Sequence, residues 1–301
     1  MTENGILLLN KPEGMTSQTA VTRVRRLLGA AKAGHTGTLD PLATGVLPVL
    51  LERGVKASEY LLTGDKQYRA TLRLGLRSDT EDITGNLVPS GVPLPSEEQV
   101  REVAASFVGD YDQIPPMYSA IRVDGHRLME LARQGKEIER QPRRVRIFSL
   151  TVSRREGAPA GDYDLDVVCS KGTYIRTLCA DIGERLGCGG VMAALCRTAA
   201  AGFTLAQCHT PEQLEAMTEE ERRACILPIE SIFLTCPAVT LSRFYARLAH
   251  CGATLLQRKL QVDYPAGTRV RLCDEGGFFA LAEAVDTEEG IALRPCKLFS
   301  L

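Results

Sequence analysis

Residues 33–48 read Ala-Gly-His-Thr-Gly-Thr-Leu-Asp-Pro-Leu-Ala-Thr-Gly-Val-Leu-Pro, which places His35 and Asp40 among turn-forming residues. Glycine lets a backbone turn tightly and lets a ligand approach closely. Pro41 disfavours helical geometry at Asp40. We therefore predict that residues 34–46 form a loop presenting a carboxylate that can act as a nucleophile or base. Judged on these residues alone, an Asp-Pro turn without chemistry is the more frequent outcome.

The length and composition of the chain are those of an ordinary globular protein. Its 301 residues suffice for one large domain and a small one, with 44% hydrophobic and 24% charged residues. The N-terminus lacks the basic start and apolar run of a signal peptide. No apolar stretch approaches the roughly 20 residues that span a bilayer. We expect a cytoplasmic protein without membrane association.

The cysteines give no sign of a metal site. There are ten, the first being Cys169, and neighbouring ones lie eight or more residues apart, so no CxxC pair exists. A nucleotide-binding glycine motif is also missing. We therefore expect neither metal nor cofactor, with the cysteines serving as small hydrophobic residues.

Basic residues are concentrated in one segment, although the net charge is only −1. A phosphate-binding surface can be local in this way, and a solvated helix face would look similar. Residues 122–146 contain eight basic residues against four acidic ones: Arg122, Arg127, Arg133, Lys136, Arg140, Arg143, Arg144 and Arg146.

Local patterns predict an α+β fold. Thr16 or Ser17 can cap a helix that ends near Gly29. Ser96 and Gln99 form a capping box for a second helix. After Pro237, short strand patterns at 259–262, 268–272, 278–284 and 291–295 predict a small β-barrel appended to the larger domain.

Five segments together resemble the bacterial TruB-type family of tRNA pseudouridine synthase B enzymes. Besides residues 33–48 they are 10–17 (NKPEGMTS), 66–71 (KQYRAT) with 79–82 (DTED), 114–126 (IPPMYSAIRVDGH) and 171–176 (KGTYIR). They stand in the family's order, and the resemblance covers residues 5 to about 205. The run at 33–48 matches the family's catalytic signature.

The resemblance implies both a fold and a reaction. The fold is a pseudouridine synthase fold with a mixed, largely antiparallel central sheet flanked by helices, followed by a PUA-like β-barrel. The implied domains are 1–236, with an RNA-binding insertion at about 114–146, and 237–301. The implied reaction converts uridine 55 in the T loop of tRNA to pseudouridine without a cofactor. The partner is the T arm and loop of tRNA, and the protein is a monomer with no protein partner implied.

Three catalytic positions follow from the resemblance. Asp40 is the essential aspartate, which attacks either the ribose or the base. Tyr68 stacks on the flipped uracil, and the family leaves open whether it also removes the proton. Arg176 pairs with Asp40, and a guanidinium can offer a carboxylate two parallel hydrogen bonds. The residues alone leave open a core tyrosine and an exposed arginine, although a cation at a helix N-terminus is poorly placed there.

The remaining implied residues bind the substrate or support the site. His35 contacts the RNA, and Tyr174 and Leu195 line the base pocket. Lys11 with Pro12 supports the active-site loop and is counted with the substrate-binding group. The basic insertion, including Arg143 and Arg144, closes over the RNA.

The sequence departs from the family in one place and leaves alternatives open. Leu195 is usually followed by two arginines, whereas here Cys196 precedes Arg197, which predicts one phosphate contact fewer. The match of residues 237–301 to the PUA-like barrel is loose. The alternatives are a tRNA-binding or tRNA-folding protein, with or without catalysis, and a synthase for another RNA.

Overall fold

The computed structural model describes residues 4–299, with residues 63, 124, 137 and 156 left out. The strands are β1 (Gly5–Lys11), β2 (Ala33–His35), β3 (Thr44–Leu51), β4 (Lys66–Leu74), β5 (Leu76–Ser78), β6 (Leu87–Pro89), β7 (Gly109–Gln113), β8 (Arg122–Val123), β9 (His126–Arg127), β10 (Arg143–Arg154), β11 (Asp162–Cys169), β12 (Gly190–Ala200), β13 (Phe203–Thr204), β14 (Ile226–Pro228), β15 (Ala238–Thr240), β16 (Leu255–Leu256), β17 (Arg269–Asp274), β18 (Gly277–Thr287) and β19 (Gly290–Leu298). The α-helices are α1 (Ser17–Leu27), α2 (Ser58–Leu62), α3 (Glu97–Ala105), α4 (Leu128–Arg133), α5 (Ile175–Arg185), α6 (Pro211–Ala216), α7 (Glu219–Ala224), α8 (Arg243–His250) and α9 (Gln257–Leu260). Short 3₁₀ helices cover Glu52–Ala57, Leu205–Gln207 and Ile229–Phe233.

A large mixed sheet forms the centre of the molecule. Its strands are hydrogen-bonded in the order β14-β1-β3-β12-β4-β11-β10-β7, with β2 added to β3 and β13 to β12. Strands β3 and β12 run parallel, and the other described pairs in this sheet are antiparallel. The sheet is thus mixed and largely antiparallel, as expected.

Alternating side chains of the central sheet build cores on its two faces. In β1, Leu7 and Leu9 belong to the larger core, which helices α1, α3 and α5 cover, while Ile6 and Leu8 belong to a smaller core on the other face. The helices lie where their caps predicted. Thr16 caps α1, and Ser96 with Gln99 forms the capping box of α3.

The loop that carries Asp40 is shorter than predicted. Residues 34–46 were expected to be loop throughout, but β2 pairs with β3 across His35↔Val49, and β3 already begins at Thr44. The prediction of loop at these ends was wrong because backbone pairing to a neighbouring strand overrides the local preference of glycine and threonine. Residues 36–43 remain as a tight connection between two paired strands.

A second sheet, in the order β15-β17-β18-β19-β16, occupies the C-terminal part and has its own core. Three of the four predicted strands are present as β17, β18 and β19. The strand predicted at 259–262 is wrong, because α9 covers Gln257–Leu260 there. The buried amide of Gln257 bonds both the N–H and the carbonyl of Tyr264, which closes a loop that a strand could not form.

The 3₁₀ helix Ile229–Phe233 packs against the second sheet in one further core. Ile229 and Phe233 lie there with Leu281 of β18 and with Phe299. Within the described ranges, no helix combines the length and apolar character needed to cross a bilayer.

Replacing Gly45 with alanine should separate β3 from β12. A Cβ at Gly45 would lie 2.3 Å from the carbonyl oxygen of Arg197, at a backbone φ of +103°. The matched control is Gly109→Ala, with φ +112° and nothing within 4 Å of the added carbon. We expect Gly45→Ala to lower the free energy of unfolding by at least about 2 kcal/mol more than the control, because only it adds overpacking to backbone strain. Equal losses in urea denaturation would contradict this account of the junction.

Candidate active site

Asp40 lies on a loop whose backbone is held on several sides. The amide N–H of Ala43 donates to the Asp40 carbonyl at 3.0 Å, which closes a turn around Pro41. The buried Ser17 hydroxyl bonds both the N–H and the carbonyl of Leu39, at 2.8 and 2.9 Å. The Asp40 side chain itself is 41% exposed. A fixed backbone therefore presents an accessible carboxylate.

Arg176 is the partner of that carboxylate. Its Nε lies 3.0 Å from Asp40 Oδ2, and its side chain is only 6% exposed. Its terminal nitrogens donate to the carbonyls of Thr80 and Tyr118, at 3.1 and 2.8 Å. The exposed alternative for Arg176 was wrong, and so was the expected pair of parallel hydrogen bonds to Asp40. One nitrogen faces Asp40 because the other two satisfy backbone acceptors in the same buried space.

A second carboxylate, Asp82, also lies near Arg176. Its Oδ2 is 3.9 Å from Arg176 Nε, the nitrogen that faces Asp40, and its side chain is 7% exposed. Its Oδ1 accepts hydrogen bonds from the hydroxyl of Thr80 and from the N–H and hydroxyl of Thr84. Asp82 is therefore held in place beside the guanidinium. The sequence contained it in the DTED motif, but no role had been predicted for it.

Tyr68 lies on strand β4, where it faces Arg197 of the adjacent strand β12. Tyr68 is 8% exposed, and burial raises the pKa of its hydroxyl, while the charge of Arg197 acts in the opposite direction. Arg197 is itself fully buried. Its Nε and Nη2 donate to the carbonyls of Val46 and Gly37, at 2.7 and 3.0 Å. Sequence reasoning gave Arg197 no role in the site and missed its position beneath the loop, because burial of a cation has no local sequence signal.

Lys11 is buried beneath the same loop. Its ammonium donates to the carbonyls of Pro12, Met15 and Pro41, at 2.8, 2.6 and 3.4 Å. Burial lowers the pKa of Lys11 to about 8, although Asp40 and Glu13 act in the opposite direction. Lys11 is 0% exposed beneath the loop. Its place suits support of the loop, and its assignment to the substrate-binding group stays a prediction.

The other predicted pocket residues surround the site at different depths. Tyr174 is half-buried and begins α5, and the side-chain amide of Gln113 bonds its N–H and its carbonyl at 2.8 and 2.9 Å. Leu195 is half-buried on β12, where its carbonyl accepts from Thr44. His35 is half-buried on β2, and burial, followed by the charge of Arg197, lowers its pKa. Gln113 was not predicted.

Only some of the basic side chains in segment 122–146 are available to bind phosphate. Arg144 pairs with Asp112 at 3.1 Å and Arg146 with Asp110 at 3.7 Å, across the β7–β10 ladder. Arg143 is exposed and has no ion-pair partner among the residues that the structure describes. The side chain of Arg127 lies outside the described part. The count of basic residues in the sequence therefore overstates the available positive charge.

No group of three or more His, Cys, Asp and Glu side chains that could hold a metal ion occurs in the described ranges. Most described cysteines are at least partly buried, and Cys169, Cys179 and Cys188 are fully so.

Comparison with known proteins identifies the family. Residues 25–175 match the family model described as TruB family pseudouridylate synthase (N terminal domain), and residues 176–234 match tRNA pseudouridylate synthase B C-terminal domain. The chain belongs to the TruB family. It is 51% identical to tRNA pseudouridine synthase B of Alkaliphilus oremlandii over 87% of this chain and 84% of that protein. It is 43% identical to the protein of the same name from Ralstonia nicotianae, over 99% of this chain and 95% of that one.

Solved structures place this TruB chain in the pseudouridine synthase fold. One, described as a crystal structure of a Cbf5-Nop10-Gar1 complex, superposes with a TM-score of 0.71 at 27% identity, over 98% of this chain and 85% of that one. A second, of an H/ACA RNP bound to a substrate RNA containing 2'-deoxyuridine, also gives 0.71, at 26% identity. The expected fold class is confirmed, including the C-terminal sheet, whose curled half-barrel fits a PUA-like domain.

Arg176→Lys should slow the reaction of this TruB protein without weakening tRNA binding. One ammonium cannot reach Asp40 and both carbonyls in the geometry that the planar guanidinium satisfies. We expect the single-turnover rate to fall on the order of 10²–10³-fold, the cost of losing preorganised contacts to a reacting carboxylate. The single-turnover rate of Asp82→Asn should fall less, because Asp82 lies near Arg176 and does not contact Asp40.

The matched control is Arg185→Lys, at the other end of α5, where the guanidinium contacts Ser106 and the ring of Phe107. Its rate should stay within a factor of two of the wild type. A wild-type rate for Arg176→Lys would refute the role of the guanidinium geometry.

Proposed function

We propose that this chain isomerises uridine to pseudouridine at position 55, in the T loop of tRNA. The observation that supports the proposal is the 3.0 Å contact between Arg176 Nε and the accessible carboxylate of Asp40. Asp40 lies in the loop that matches the TruB signature. The relatives named tRNA pseudouridine synthase B support tRNA as the substrate. We also propose that the protein acts as a cytoplasmic monomer on the T arm.

The reaction breaks the C–N glycosidic bond of a uridine, turns the uracil and forms a C–C bond to the same ribose. No electrons are gained or lost overall. The target base must leave its stack to reach a protein pocket. In the proposed complex the base lies over Asp40, because this carboxylate is exposed whereas Tyr68 and Arg176 form the buried surroundings.

Asp40 must be ionised to attack either the ribose or the base. A docked base removes water from the carboxylate, and desolvation favours the neutral acid. The fixed charge of Arg176 opposes this effect, because a guanidinium stays protonated in proteins. In our proposal Asp40 is the nucleophile, Arg176 holds it ionised, and the ring of Tyr68 stacks on the flipped uracil.

The remaining assignments complete the proposed RNA site. His35, Tyr174 and Leu195 are partly exposed and, in our proposal, would contact the flipped nucleotide and its neighbours. Arg143, with Arg144 after exchange of its carboxylate partner, would bind phosphate. We propose that residues 1–236 form the catalytic domain with an RNA-binding insertion at about 114–146, and that 237–301 form a PUA-like RNA-binding domain. The separate apolar core of the second sheet supports this division.

Asp40→Asn should abolish pseudouridine formation and leave tRNA binding within about a factor of two. The amide keeps the size of the side chain but cannot act as a nucleophile. The measurements are pseudouridine content after incubation with unmodified tRNA and the Kd of the same variant. Turnover above background would remove Asp40 from this role. A protein that binds tRNA equally well but has no wild-type turnover would be a binding or folding factor instead.

Arg143→Ala should weaken tRNA binding more than Arg144→Ala or Arg146→Ala. The latter two arginines must give up an ion pair with Asp112 or Asp110 to bind phosphate, and Arg143 need not. Each lost phosphate contact lowers the log–log salt slope by roughly 0.7–0.9. Kd measured from low to high salt should show this loss for Arg143→Ala and a smaller one for the other two variants. Equal slopes for all three variants and the wild type would make this segment a solvated surface.

A further inference from the structure

Arg197 is a buried cation beneath the Asp40 loop that the proposed chemistry does not use. It is 1% exposed and lies in the centre of β12, between Gly45 of β3 and Tyr68 of β4. No carboxylate lies within ion-pair distance of it among the described residues. A buried charge without a counter-charge costs several kcal/mol. Packing alone would be served better by an apolar residue.

The guanidinium joins the two ends of the loop. Nη2 donates to the carbonyl of Gly37 at 3.0 Å, and Nε donates to the carbonyl of Val46 at 2.7 Å. These carbonyls stand before and after Asp40 in the chain, so a single side chain determines the separation of the segments that carry it.

Two glycines of the signature make this approach possible. A Cβ on Gly45 would lie 2.3 Å from the Arg197 carbonyl oxygen, and one on Gly37 would lie 3.2 Å from its Nη1. Both glycines have positive φ, +103° and +75°. The two glycines therefore leave room for Arg197 and also adopt the backbone angles that the turn requires.

The same residue also lies beside the proposed stacking residue. Arg197 and Tyr68 face each other across β12 and β4, and the charge of Arg197 lowers the pKa of the Tyr68 hydroxyl against the larger effect of burial. The loop and the tyrosine thus share one buried neighbour.

We propose that Arg197 is a positioning residue that holds the Asp40 loop and the Tyr68 ring in register for the reaction. The inference rests on the proposed function. A displacement of about 1 Å in a reacting group can cost on the order of 10²-fold in rate. The charge is placed where a smaller or apolar side chain could not donate to both carbonyls.

The primary test is Arg197→Lys, which keeps the charge but offers one nitrogen in place of three. The matched control is Arg73→Lys, on the same sheet, where the guanidinium pairs with Asp162. Thermal unfolding fixes a temperature at which every variant is fully folded, and single-turnover rate and tRNA Kd are measured there. We expect Arg197→Lys to lose between about 10- and 100-fold in rate with Kd within a factor of two. Arg73→Lys should match the wild type.

Two results would overturn the proposal. One is a wild-type rate in Arg197→Lys, which would make the residue structural only. The other is a weakened Kd with an unchanged rate, which would make it a binding residue. A wild type that forms no pseudouridine in tRNA would overturn the proposed function instead, so the two failures are distinct.

If Arg197→Lys does not fold, the variant Gly37→Ala is used to test the proposal instead. Its methyl group would press on Nη1 at 3.2 Å, while Gly91→Ala, at φ +70° with nothing within 4 Å, reproduces the backbone strain alone. We expect Gly37→Ala to react at least 10-fold more slowly than Gly91→Ala at equal tRNA affinity. Equal rates would overturn the proposal.

Discussion

The buried guanidinium of Arg176 is the group around which the site is built. A charge with 6% exposure needs acceptors on every side. They come from three separate parts of the chain, namely the Asp40 loop, residues 80–82 and the carbonyl of Tyr118. These segments lie outside the named helices and strands, and Arg176 joins them in addition to the backbone hydrogen bonds that tie residues 81 and 83 to Met192 of β12. The ion pair is consequently an organising contact as well as a chemical one.

Two further cations lie under the same loop, and both bind carbonyls. Lys11 is bonded to three carbonyl oxygens and Arg197 to two. Carboxylate partners would have neutralised them more completely, but would also have placed more negative charge beside Asp40. Lys11 and Arg197 instead donate to neutral carbonyls, so their positive charges lie beneath the loop without an added carboxylate, whereas Arg176 faces Asp40 and lies near Asp82.

Local signals in the sequence predicted what is locally determined. The caps at Thr16 and Ser96 fixed the starts of α1 and α3, because an N-cap bond joins residues three apart. The signature predicted the Asp40 loop. The resemblance implied a shared site for Asp40, Tyr68 and Arg176. The structure places Arg176 against Asp40 and Tyr68 opposite Arg197, and the catalytic roles stay predictions. The strand at 259–262 failed because a buried glutamine bonds a residue seven positions away. The proximity of Asp82 to Arg176 and the bonds of Arg197 to the carbonyls of Gly37 and Val46 were missed for the same reason, since these pairs are distant in sequence. The pairing of Arg144 with Asp112 depends on strand register, which composition cannot reveal.

The contrast in exposure between Asp40 and its partners suggests the order in which the site is completed. Arg176, Asp82 and Arg197 are buried before any RNA arrives, so the free-energy cost of removing water from them belongs to folding and not to RNA binding. Asp40 alone keeps substantial contact with water, and only its desolvation remains for the docking base. The Tyr118 carbonyl, which begins the proposed insertion, binds the guanidinium directly. A segment that closes over RNA therefore bears on the residue that keeps Asp40 ionised. In the proposed reaction, RNA docking removes water from the carboxylate, while the counter-charge is already in place.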